Sequence, residues 1–367
     1  MDDVQLSGMR AADPAELGFD TVKLAEAVAF AEAAETRWPR NLTGGLSKLE
    51  KTTERPPWNE VLGPSKDRGG PNGLILKDGA VAASWGDTSR VDMTYSATKS
   101  YLSVLAGIAV ADGLIGDVDD PVRDYALDAA FDTPQNESIT WRHLLQQTSE
   151  WEGSLWDKPD VVDHNRQLGV KADNSKKGTK RELQKPGTFW EYNDVRVNRL
   201  SLCLMQVFRK PLPVVLKERI MDPIGASDSW SWQHYRNSFF EIDGEVMASV
   251  PGGAHWGGGM WINSLDHARV GQLIQQRGAW EGQQLIPETW IDALQTPCEI
   301  MPTYGYLWWV NTDGAHFSQA PDSSFFALGA GQNIVWVEPV HKLVMVARWV
   351  DAKRANDLVG HVMASLG

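Results

Sequence analysis

The chain has 367 residues, a formal net charge of −13 and an ordinary soluble-enzyme composition, apart from its 17 tryptophans. That length allows two domains or one large one, and the acidity argues against a nucleic-acid surface or an anionic membrane as partner. Met1-Asp2-Asp3-Val4-Gln5 has neither the basic nor the apolar region of a secretory signal, and no apolar stretch is long and pure enough to span a bilayer. A cytoplasmic location is therefore expected. Cys203 and Cys298 stand outside any metal-ligand spacing and are expected to be reduced thiols.

Residues 13–35 predict an amphipathic helix, with Leu24, Ala27, Val28 and Ala31 at helical spacing. Residues 36–72 lose all periodicity and gather Pro, Gly and charge. A loop of that length is either a surface insertion or a flap over a site. Residues 73–85 predict a hairpin, two apolar runs around Asp78-Gly79. The run Tyr101–Leu114 is apolar on nearly every face and predicts a helix at the protein's centre. Short helices are expected from Asp119-Asp120-Pro121-Val122 and over 139–145. Residues 171–185 carry six Lys or Arg and predict a solvated loop. Helices follow over 197–208, 265–276 and 287–294, with a glycine-rich turn region at 252–261. The C-terminal part predicts strands over 304–310, 324–328, 333–337 and 343–350, and a closing helix over 355–366. This order fits an α+β fold. An antiparallel sheet would be built from 1–95 and 265–367, with a mainly helical region, 96–264, inserted and the active site between them.

Ser96 and Lys99 lie three residues apart at the start of the central helix, and so on one helical face. The partial positive charge of first-turn N–H groups favours a deprotonated Lys99 and an oxyanion near Ser96. A bare Ser-x-x-Lys is expected about once by chance at this composition. Its position is the stronger signal, because a lysine is costly to bury there without a purpose. The alternative is a helix-start lysine that snorkels to solvent. Tyr192 follows Pro186-Gly187 in a loop leading into a helix; its phenol could relay a proton or simply pack. His255, set among glycines, is the histidine to place near a cleft, and His143 reads as structural. No Gly-x-Ser-x-Gly elbow is present. Nor is there a His-Glu-x-x-His, a Cys-x-x-Cys or a phosphate-binding glycine loop. No metal or organic cofactor is implied.

Taken together, Ser96-Ala97-Thr98-Lys99, Pro186-Gly187 with Tyr192, Gly257-Gly258-Gly259 and the stretch from Gly329 to Pro339 resemble the β-lactamase-related serine hydrolases over nearly the whole chain. Asp119-Asp120-Pro121-Val122, Ile139–Leu145 with Gln147-Thr148-Ser149, and Asp266-His267-Ala268-Arg269 support the resemblance. Class C β-lactamases, family VIII esterases, D-amino-acid peptidases and 6-aminohexanoate-dimer hydrolase share this penicillin-recognising fold. The resemblance implies Ser96 as acylated nucleophile, Lys99 as its base and Tyr192 as a proton shuttle with Lys99. It also implies an oxyanion hole from the backbone N–H groups of Ser96 and Leu328. Asp194, Trp151, Trp190, His255, Trp256 and Gly329 are the candidate substrate-binding residues.

Two departures stand out. Tyr192-Asn193-Asp194 replaces the family's Tyr-x-Asn, and Phe325-Phe326-Ala327 replaces its Lys-Thr-Gly or His-Thr-Gly. Losing that cation and hydroxyl disfavours penicillin recognition and favours an ester or amide with an apolar acyl group, in keeping with aromatic walls. The expected substrate is therefore a small-molecule ester or amide. A β-lactamase or D-amino-acid peptidase, and a non-catalytic ligand-binding member of the fold, are the alternatives.

Overall fold

The computed structural model describes residues 8–42, 54–169 and 171–367. The predicted hairpin forms from Asn72–Lys77 (β1) and Ala80–Trp85 (β2). It closes through Asp78 and Gly79, with φ of 50° and 73°, the backbone an Asp-Gly turn supplies. Further strands are Asp92–Met93 (β3), Ser231–Gln233 (β4), Gly259–Ile262 (β5), Trp309–Val310 (β6), Phe325–Gly329 (β7), Asn333–Glu338 (β8) and Leu343–Arg348 (β9). The order β6-β7-β8-β9-β1-β2 makes one antiparallel sheet, in which sequence-distant β1 and β9 pair Leu74 with Val346.

The longer helices are Thr21–Ala33 (α1), Thr98–Ala111 (α2), Trp141–Leu145 (α3), Asp194–Phe208 (α4), Leu212–Leu216 (α5), Ser264–Gln275 (α6), Glu288–Gln295 (α7) and Ala355–Ala364 (α8). The sheet is covered on both faces. Ile75, Phe326, Trp336 and Met345 pack with α1 and α8. Leu74, Leu76, Ala327, Val335 and Val344 pack with α2 and α6. Burial on both faces explains why these strands are unbroken apolar runs rather than alternating ones. α2 is buried from Thr98 to Ala109, the central position its composition predicts.

The structure differs from the sequence expectation in three useful places. The strand expected over 304–310 shrinks to β6, because Leu307 adopts a left-handed φ of 58° and donates its N–H to Leu145 O. The glycine-rich region ends in a strand, β5, which lies between β3 and β4. α4 begins at Asp194 rather than Val197, because the Asn193 side chain caps it by accepting from the N–H groups of Val195 and Arg196. That cap puts Asp194 in the first helical turn.

Part of the aperiodic 36–72 segment, 43–53, lies outside the described residues. Its described end is tied to the glycine-rich loop: Leu62 and Gly63 donate to Trp256 O, and Gly258 donates to Pro64 O. Cys203 and Cys298 are free, buried thiols. Among the described residues no helix is long and apolar enough to cross a membrane.

Candidate active site

After β3 the chain passes through Thr94 into a 3₁₀ turn, Tyr95–Ala97, that runs directly into α2. Tyr95 holds a left-handed φ of 49°. Such a conformation costs a non-glycine residue about 1–3 kcal/mol and persists only where its surroundings enforce it. The turn leaves Ser96 half-buried at the head of α2. Lys99 Nζ donates to Ser96 Oγ at 3.0 Å. Lys99 is 1% exposed, so it does not snorkel. Gly253 lies over the pair: a Cβ there would stand 3.1 Å from Lys99 Nζ and 3.7 Å from Ser96 Cα.

Lys99 also donates to Asp194 Oδ1. Asp194 therefore faces the Ser-Lys pair, while Arg196 and Arg199 bind Glu150 and Asp128 instead. The other Asp194 oxygen takes Arg166 at 2.6 Å and stands 3.3 Å from His255 Nδ1. From there acidic and basic side chains alternate around a closed ring. Arg166 meets Asp163 at 3.2 Å, Asp163 meets Lys177 at 3.1 Å, Lys177 meets Glu54, and Glu54 accepts from His255 at 2.7 Å. Alternation is what allows so many charges to be buried, since each has a partner for the hydration it lost.

This ring decides the state of Lys99. Burial alone would lower its pKa, but the Asp194 carboxylate, helped by Tyr192, outweighs burial and raises it above the ordinary lysine value. Burial likewise works to raise Asp194, and Lys99, Arg166 and His255 together hold it well below the usual carboxylate range. The helix-start dipole, expected to favour a neutral Lys99, is overridden, because a carboxylate in direct contact outweighs the partial charge of a helix end.

Tyr192 is buried, with its ring face toward Lys99 at 4.8 Å from the ammonium and toward the Arg166 guanidinium at 5.1 Å. Its phenol is not the partner of Lys99; the hydrogen bonds of that ammonium go to Ser96 and Asp194. Half-buried Trp190 and Trp309 flank Tyr192, at centroid distances of 6.2 and 5.6 Å. A cavity of about 350 Å³ lies against Arg166, Phe189 and Trp190; a larger one, about 540 Å³, sits at Gln276 and Lys342 and holds none of these residues.

β7 borders the site. A Cβ on Gly329 would fall 2.1 Å from Thr94 O, so only glycine lets the strand approach the Ser96 turn this closely. On the β6 side, Asn311 N–H donates to Ser324 O and Trp309 pairs with Phe326. Ladder groups alternate along a strand, which turns the Leu328 N–H to that same edge, beyond the two residues that β6 covers.

The structure thus brings Ser96, Lys99, Tyr192, Asp194, His255 and Gly329 together, with Trp190 beside Tyr192. Trp151 stands apart, and Trp256, whose ring packs against His255 at a centroid distance of 4.3 Å, is itself fully buried. Trp151 is buried in the helical core, donating its indole N–H to Ala130 O at 3.0 Å. Trp256 is equally buried, donating to Trp58 O at 3.0 Å and covered by Lys158. Both rings are spent on packing. Sequence reasoning missed Arg166, Asp163, Glu54 and Gly253 as site residues. It also missed that Lys177 and Arg181 turn inward from the basic 171–185 loop to bind Glu54 and Glu150. Glu54, Asp163 and His255 bring ligand-type atoms within 4.8 Å of one another, but Lys177 already bridges the two carboxylates as the resident cation.

With this geometry in hand, the comparisons agree on one family. The Beta-lactamase family model matches residues 71–356, and the chain belongs to that family. The fold is that of β-lactamases and transpeptidases, helices with antiparallel sheets. A penicillin-binding protein homologue from Caulobacter crescentus aligns with a TM-score of 0.59 at 15% identity, covering 90% of this chain and 99% of its own. EstCE1, a hydrolase with promiscuous acyltransferase activity, aligns at 0.58 and 14% identity, covering 94% and 98%. A provisionally named 6-aminohexanoate-dimer hydrolase from Bacillus anthracis aligns at 0.55 and 16% identity, covering 91% and 87%. At such identities the likeness is one of fold. No curated protein matches the chain.

Proposed function

We propose that the protein is a serine hydrolase that cleaves a carboxylic ester or amide of a small molecule through an acyl-enzyme on Ser96. The observation that carries this reading is the 3.0 Å hydrogen bond from a buried Lys99 to Ser96 Oγ at the head of the central helix. Membership of a family with hydrolase neighbours supports it.

In the proposed cycle the free-amine form of Lys99 takes the Ser96 proton as Oγ bonds to the substrate carbonyl carbon. The N–H groups of Ser96 and Leu328 would receive the oxyanion. The carbon–leaving-group bond then breaks, and the leaving group takes a proton from Lys99, whose ammonium lies over the Tyr192 ring face. Water attacks the acyl carbon, gives its proton back to Lys99, and Ser96 leaves protonated. Trp190 and Trp309 are the proposed apolar wall for the substrate, in the role first expected of Trp151 and Trp256.

The site has Phe325-Phe326-Ala327 where β-lactam-recognising relatives carry a cation and a hydroxyl, and Phe325 and Phe326 are buried on opposite faces of β7. Short-chain p-nitrophenyl esters should accordingly be cleaved far faster than penicillins. Comparing kcat/KM for p-nitrophenyl butyrate, nitrocefin and benzylpenicillin tests this; a larger value for benzylpenicillin returns the protein to the β-lactamases.

Asp194 sets the pH dependence. Activity needs the free amine, so the acidic limb of kcat/KM follows the Lys99 pKa, which Asp194 raises. The wild type should have an alkaline optimum. Asp194→Asn removes the charge, lowers that pKa and should move the limb to lower pH by roughly one unit or more. Superimposable acidic limbs for the two proteins, on an ester stable in alkali, would show that Asp194 does not act on the base.

A further inference from the structure

One buried histidine takes no part in the proposed cycle, yet it joins the two sides of the nucleophile turn. His267 lies on α6, 1% exposed. Its Nε2 is 2.7 Å from Thr94 Oγ1 and its Nδ1 is 2.8 Å from Tyr101 Oη. Thr94 precedes Ser96 by two residues and Tyr101 follows it by five. Both are buried, at 0% and 3% exposure. Between them lie the left-handed Tyr95, Ser96 and Lys99.

Burial, aided by the nearby Arg348 charge, holds the His267 pKa well below the ordinary imidazole value. The ring is therefore neutral, with one nitrogen donating and the other accepting, and each hydroxyl takes the complementary role. A planar ring with two fixed hydrogen-bonding atoms sets the separation of the two hydroxyls, and so of the strand end and the helix. Met260 spans the same turn with its backbone, accepting from Thr94 N–H and donating to Thr98 Oγ1 at 3.3 Å; Arg348 holds only the strand end, donating to the carbonyls of Asp92 and Met93. Thr94 O is also the atom against which Gly329 is pressed. Fixing Thr94 thus fixes the gap between Ser96 and the edge of β7.

We infer that His267 is a positioning residue: by bridging Thr94 and Tyr101 it holds the Ser96 turn at its working distance from Lys99 and from the β7 edge. This rests on the reading of Ser96 as nucleophile. A staple of this kind acts on the chemical step. Displacing reacting groups by about 1 Å costs on the order of 100-fold, while substrate binding, which uses other walls, changes little.

The test is the rate of fluorophosphonate labelling, with kcat and KM for p-nitrophenyl butyrate, for the wild type, His267→Phe, Thr94→Val, Thr94→Ser and Tyr101→Phe. Rates are taken well below each melting temperature and normalised to folded protein. His267→Phe and Thr94→Val should each lower kcat and the labelling rate by roughly 10- to 100-fold, with KM within about threefold. Thr94→Ser, which keeps the hydroxyl, should restore most of the rate. The double variant His267→Phe/Thr94→Val should be no slower than His267→Phe alone, because both remove the same bridge. If His267→Phe does not fold, the Val/Ser pair at Thr94 and Tyr101→Phe carry the test. Folded Thr94→Val with wild-type kcat and labelling rate overturns the inference, as does a lowered melting temperature with unchanged kcat. A wild type that neither labels nor turns over ester, by contrast, refutes the nucleophile assignment itself.

Discussion

Ser96→Ala should abolish both ester turnover and fluorophosphonate labelling while leaving the protein folded. The substitution removes one oxygen from a half-buried position. Its cost in stability is that of one hydrogen bond, about 1 kcal/mol, because Lys99 keeps Asp194 as partner. A shift of that size lowers the melting temperature by only about 1–2 °C in a chain of this length. Intact-mass spectrometry after the probe gives the decisive reading: one adduct on the wild type and none on Ser96→Ala. Labelling of Ser96→Ala at the wild-type rate would place the nucleophile elsewhere.

Lys99→Arg should be nearly as damaging, and it separates two roles that Lys99 combines. Arginine keeps the positive charge beside Asp194, so the ring of buried charge stays balanced. It cannot give up a proton in the working pH range, so general-base catalysis is lost. The expected drop in kcat/KM is about 10²–10⁴-fold, and raising the pH should not recover it. Lys99→Met should lose a similar factor, with Asp194 left to Arg166 and His255. If Lys99→Arg retained more than about a tenth of wild-type activity with the same acidic limb, a positive charge near Ser96 would be the requirement rather than a base.

These two residues were legible in the sequence because the signal is local. Spacing of three on a helix brings two side chains together wherever the helix is placed, and the apolar composition of the next fourteen residues buries that helix. The hairpin over 73–85 and the strands β7, β8 and β9 were legible for the same reason: turn chemistry and apolar runs act over a few residues. Gly329 belongs with them, as part of the stretch that carried the family resemblance. Tyr192 and Asp194 could be named from that resemblance, but nothing in it fixes which way the Asp194 carboxylate turns.

The tryptophans mark where that legibility ended. Trp151, Trp190, Trp256 and Trp309 all lie beside the motifs. Two are consumed by core hydrogen bonds to Ala130 and Trp58, and two flank Tyr192. Nothing in residue type or spacing separates them, because burial is fixed by what packs against each ring from distant parts of the chain.

The sequence by itself determined the pairing of Ser96 with Lys99, the central helix and the family, all properties of short-range pattern. Only the tertiary structure decided the state of that lysine. Glu54, the Asp163–Arg166 stretch, Lys177, Asp194 and His255 come from separate parts of the chain, and they form a ring only where the fold closes it. Electrostatic energy depends on distance through space and on exclusion of water. Neither quantity is written along the chain, so whether the Asp194 carboxylate reaches Lys99 and holds it as a cation could be read only from the folded protein.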